Sequence, residues 1–109
     1  MILHLETSTK ICSVALSKNG KLFDFIETSS DQFIHGEQLT VMIDQLLKRN
    51  STDIKSLLAI SFSLGPGSYT GLRIGLATAK GLSFGLDIPF IGVSSLESLV
   101  SLTRAKHPD

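Results

Sequence analysis

The start of the chain alternates between apolar and polar positions. Cys12, Val14 and Leu16 are interleaved with Ser13, Ala15 and Ser17, the period of two that a half-buried strand requires. Ile2 to Thr7 before it is a short apolar run. Lys21 to Thr28 after it carries Leu22, Phe23, Phe25 and Ile26. Asn19-Gly20 stands between the last two runs. Both central positions of a two-residue hairpin turn take positive φ, which Asn and Gly tolerate best. Residues 2–28 are therefore expected to form three strands in an antiparallel meander.

From His35 to Asn50 the period changes. Leu39, Met42, Ile43, Leu46 and Leu47 recur at helical spacing, with Glu37, Asp44, Gln45 and Lys48 elsewhere on the wheel. Lys48 and Arg49 suit the negative end of the helix dipole, and Asn50-Ser51-Thr52 breaks the helix. Leu57 to Leu64 is a near-continuous apolar run, as expected of a strand covered on both faces. A glycine-rich turn leads into a helix over 68–86, and Pro89 to Val93 reads as a further short strand. Ser94 and Glu97 have capping-box spacing. They open a last helix through Leu96, Leu99, Val100 and Thr103. The order βββαβαβα implies an α/β protein with a mixed five-stranded sheet and helices packed on it. No repeat, linker or low-complexity segment divides residues 1–109, and 104–109 read as a tail or a point of truncation.

Six of the nine glycines lie between positions 65 and 85. The run from Gly65 to Arg73 follows the buried strand and opens the second helix, a place where backbone N–H groups and the helix dipole favour an anion. Gly65, Gly67, Ser68 and Thr70 form this candidate ligand loop. The spacing matches neither the P-loop nor the dinucleotide fingerprint, and a tight turn with Ser68 capping the helix accounts for the same residues. The helix itself carries two faces. Leu72, Leu76 and Ala79 form an apolar one, expected to cover the sheet. Ile74, Ala77, Thr78, Gly81 and Gly85, beside Gly71 and Gly75, form a second of small residues. Interior glycine costs a helix about 1 kcal/mol relative to alanine, yet it lets another backbone come close. The second face is either a docking surface for a partner helix or buried core of a larger domain.

Composition narrows the function. The 109 residues are 42% hydrophobic and 18% charged, with ten basic and ten acidic residues and no net charge. The balance argues against a stand-alone nucleic-acid binder, which needs a basic excess. The single Cys12 excludes a disulfide framework and fits a reducing, cytoplasmic setting. No run reaches the ~20 apolar residues of a membrane span, and Met1-Ile2-Leu3-His4 does not read as a signal peptide. Glu6, at the end of the first strand, can position a metal or accept hydrogen bonds from Thr7, Ser8 and Thr9. His35 lacks a second ligand at Gln38 or Leu39, so no helical metal pair forms. His4 reads as a strand histidine with local partners, and Cys12 as an inert core thiol. No catalytic constellation emerges.

Several of these residues also carry a likeness. Glu6-Thr7-Ser8, His35-x-Glu37-x-Leu39 and, above all, Gly65-Pro66-Gly67-Ser68-Tyr69-Thr70-Gly71-Leu72-Arg73-Ile74-Gly75 resemble the TsaB (YeaZ) family. Ala79-Lys80-Gly81-Leu82 and Ser95-Leu96-Glu97 continue it, so it covers most of the chain. The resemblance implies a ribonuclease-H-like, actin-like ATPase (ASKHA) fold. Members have two such subdomains, and residues 1–109 resemble the first. The family is the non-catalytic partner of TsaD, which transfers a threonylcarbamoyl group from its adenylate to adenosine 37 of tRNAs reading ANN codons. TsaE is a further, ATP-hydrolysing partner. The implied role is a scaffold without cofactor or catalytic residues, touching tRNA only indirectly. The family dimerises through its first two long helices, here 35–50 and 68–86. That places Leu39, Ile43, Gly71, Ile74, Gly75, Ala77, Thr78 and Gly81 at an interface with TsaD or, in isolation, with a second copy. The catalytic paralogue has a His-x-x-x-His metal motif on the matching helix. Here His35 is followed by Leu39, which cannot ligate. Two other readings are a nucleotide-binding ASKHA-type ATPase and a glycoprotease-like metallopeptidase. The second histidine's absence counts against the latter, and a single subdomain leaves an interdomain nucleotide site without one wall.

Overall fold

The structure, a computed structural model, describes residues 1–8, 11–29, 36–67 and 69–94. Three strands come first: β1 (Ile2–Glu6), β2 (Ile11–Lys18) and β3 (Lys21–Ser29). Helix α1 (Gly36–Arg49), a 3-10 turn (Ile54–Ser56), β4 (Ala59–Ser63), α2 (Tyr69–Leu86) and β5 (Phe90–Val93) follow. The meander expected over 2–28 is present. Asn19 (φ 53°) and Gly20 (φ 77°) take the positive values that the two-residue turn demands, and Lys18 pairs with Lys21 across it. The strand expected over 57–64 is shorter, because Asp53 turns the chain just before it. The Asp53 carboxylate accepts from the Lys55 N–H at 2.9 Å and starts the 3-10 turn. The helix expected after Ser94 lies outside the described residues.

The five strands run in the order β3-β2-β1-β4-β5. β1 pairs antiparallel with β2 and parallel with β4, and β4 pairs parallel with β5. Every residue of β4 is buried: Ile60 and Phe62 enter the core beneath the helices, while Ser61 between them meets the His4 ring on the opposite face. Both helices cover one face of the sheet. Leu3 and Leu5 of β1, Cys12, Val14 and Leu16 of β2, and Ile60 and Phe62 of β4 meet Leu39, Met42, Ile43, Leu46 and Leu47 of α1 in a single core. α1 is amphipathic because those five positions share one stripe while Glu37, Val41, Asp44 and Lys48 face outward.

Polar ties fix the end of α1 to the sheet. Arg49 donates from Nε and Nη2 to the two Asp24 carboxylate oxygens at 2.9 Å each, and from Nη2 to the Phe25 carbonyl at 2.8 Å. Asn50 donates to the same carboxylate at 2.7 Å. The Asn50 amide, followed by Arg49 and the Phe25 N–H, holds the Asp24 carboxyl below its ordinary value. Among the described residues, no helix is long and apolar enough to cross a membrane.

Candidate functional site

α2 contacts the sheet through its smallest residues. Gly71, Gly75, Ala79 and Ser83, spaced four apart, are its buried positions among the described side chains. The reason lies in the turn after β1. The Thr7 hydroxyl donates to the Gly71 carbonyl at 2.5 Å, and a Cβ on Gly75 would come within 2.5 Å of Thr7 Oγ1. The helix passes so close to this turn that only glycine fits. Ile74, Leu82 and Leu86 flank the stripe, half-buried against the core.

This placement corrects the expected division of faces. Gly71 and Gly75 face the chain's own sheet and do not belong to an outward face. Leu76, expected to cover the sheet, is 41% exposed. The correction extends to α1, where Leu39 and Ile43 are 0% and 4% exposed and lie in the core. Of the expected interface positions, Ala77 and Gly81 are exposed, whereas Ile74 and Thr78 are half-buried. With Gly36, Glu37, Thr40 and Leu82, three of these (Ala77, Thr78 and Gly81) line an open groove of about 580 Å³ between the two helices. Phe84, 89% exposed, is the most exposed large apolar residue of α2 among the described side chains. The pattern contained it: Phe84 follows Ala77 by seven residues and Gly81 by three, so all three share one face.

The candidate ligand loop packs on the turn after β1. Gly65 has φ 100° and donates its N–H to Ser63 Oγ at 3.2 Å. A Cβ on Gly67 would overlap the Ser8 carbonyl, so this glycine too is explained by close approach. Thr70 is exposed on the first turn of α2, and Ser68 lies outside the described residues. Glu6 accepts from both the Ser8 N–H, at 3.2 Å, and the Ser8 hydroxyl. The carboxylate thus serves its neighbours, as one of the two readings expected.

Two other titratable groups are enclosed. The ring of His4 lies between Ser61 Oγ, 2.6 Å from Nδ1, and Ser17 Oγ, 2.7 Å from Nε2. The neutral ring meets both hydroxyls, with one nitrogen donating and the other accepting. Burial lowers its pKa below the ordinary 6.5. Burial also pushes the Cys12 thiol up to about 11, with the Glu6 carboxylate adding to the effect. Such a thiol is a poor nucleophile at neutral pH. Among the described residues, no three His, Cys, Asp or Glu side chains gather as a metal site would need. His35 lies outside the described residues.

Comparison with known proteins places this geometry. A family model described as TsaD, tRNA N6-adenosine threonylcarbamoyltransferase, matches residues 30–109. The chain belongs to the TsaB/TsaD family. Within it, the likeness to TsaB is the more continuous. The Haemophilus influenzae protein named tRNA threonylcarbamoyladenosine biosynthesis protein TsaB is 37% identical over 97% of this chain. The Escherichia coli protein of the same name is 36% identical over 90% of it. The structure of YeaZ from Pseudomonas aeruginosa superposes with a TM-score of 0.83 at 32% identity, covering 98% of this chain. The mixed sheet and its two helices therefore have the ribonuclease-H-like, ASKHA-type fold of that family. The chain spans 44%, 42% and 49% of the lengths of these three relatives, or somewhat under half of each.

Proposed function

We propose that this chain is the first subdomain of an accessory subunit in tRNA threonylcarbamoyladenosine biosynthesis, supporting a TsaD-type transferase without carrying out the transfer itself. One observation carries the reading. α2 fills its contact with the sheet using small residues and leaves Leu76, Ala77, Gly81 and Phe84 on its outer side. An exposed apolar stripe rimmed by polar residues is the usual mark of a protein interface. Exposed Arg73 and Lys80 lie on the same outer side, between Leu76 and Phe84 around the helix, so the surface offered is both apolar and basic, with Glu37 of α1 across the groove.

The partner proposed for the stripe is a TsaD-type transferase, a reading supported by relatives named for threonylcarbamoyladenosine biosynthesis. A partner of TsaD type shares the elements α1 to β5, because the TsaD family model matches this part of the chain. The two proteins would then meet through equivalent helices, or two copies of this chain would do so in the partner's absence. TsaE would join the larger assembly, and tRNA would be reached through the transferase. Buried Leu39 supports the non-catalytic role, since it stands where the resemblance puts the paralogue's second metal-binding histidine.

Sedimentation of the chain with a TsaD-type transferase tests the reading. The wild type is expected to co-sediment. Phe84→Asp and Gly81→Leu are expected to keep the wild-type circular dichroism yet weaken association by about 30-fold or more, the scale of an interface hot spot. Folded variants that bind as tightly as wild type would move the surface elsewhere. Failure of the wild type to bind would remove the partnership itself.

A further inference from the structure

We draw no further inference here: the strongest candidate, the sheet face turned away from α1 and α2, where the row Phe25, Ala15, His4, Ser61 and Ile91 crosses all five strands in register, exposes Phe25 and Ile91 at either end of a polar centre, and nothing among the described residues shows what covers it.

Discussion

Gly75 and Gly81 lie on the same helix and respond oppositely to the same substitution. At Gly75 an added methyl meets the Thr7 hydroxyl, which is itself bonded to Gly71. Gly75→Ala is expected to cost about 1–3 kcal/mol, the range for overfilling a packed site. At Gly81 nothing lies within 4 Å of the added methyl, so only helix propensity acts. Gly81→Ala is expected to stabilise the isolated chain by about 1 kcal/mol. Urea denaturation of both variants checks the pair, and equal responses would refute the close approach at Thr7. His4 carries a second prediction. Its lowered pKa means that the folded state takes up a proton less readily than the unfolded chain. The stability it contributes is complete above the unfolded value of about 6.5 and is lost as pH falls through the depressed folded value. The urea midpoint of the wild type should therefore drop below pH 6.5. His4→Asn, measured alongside, should show a flatter profile over the same window.

The two helices end alike. After α1, Thr52 N–H donates to the Leu47 carbonyl at 2.9 Å and Ser51 N–H to the Lys48 carbonyl at 3.1 Å. After α2, Ile88 N–H donates to the Ser83 carbonyl at 3.0 Å. These bonds satisfy carbonyls in the last turn of each helix, and the geometry requires a left-handed residue at the pivot. Ser51 (φ 49°) and Asp87 (φ 55°) fill that place, where glycine is usual. Ser51→Gly should raise stability by about 1 kcal/mol, or about 4–8 °C in melting temperature. Asp87→Gly should gain less, since Asp tolerates this conformation better than Ser. A calorimetric scan of the two variants measures both the sign and the order.

Element by element, what could be read from the chain was whatever depends on neighbours in sequence. The alternation of Cys12, Val14 and Leu16, the turn at Asn19-Gly20 and the stripe from Leu39 to Leu47 are local signals, and all appear in the fold. The orientation of α2 is not local. A wheel groups Gly71 with Gly75 and Ala79, but hydrophobicity ranks leucine above glycine for burial. Only Thr7, 64 residues before its acceptor Gly71, makes the small side the inner one. The same reasoning explains why Leu39 and Ile43 fail as interface residues: their stripe is the only apolar one α1 has, and the core takes it. Phe84 was legible by spacing once the inner stripe of α2 was known.

At the scale of the whole molecule, the first strand of the chain is the middle strand of the sheet. One of its neighbours, β2, follows at once. The other, β4, begins at Ala59 and pairs so that Leu3 meets Ile60 and Leu5 meets Phe62. At about 5–20 residues per second, ribosomal synthesis separates Glu6 from Ser63 by roughly 3–11 s. Throughout that interval the nascent meander carries an open, apolar edge on β1, the kind of edge that recruits other chains. A polypeptide ending at Asn50 would keep that edge permanently. It should form aggregates on sedimentation under conditions where the 109-residue chain stays dispersed, and a dispersed, folded 1–50 piece would contradict this. The placing of β1 thus makes the protein dependent during its birth on whatever shelters an unfinished sheet, for as long as its central strand waits for a neighbour from the other end of the fold.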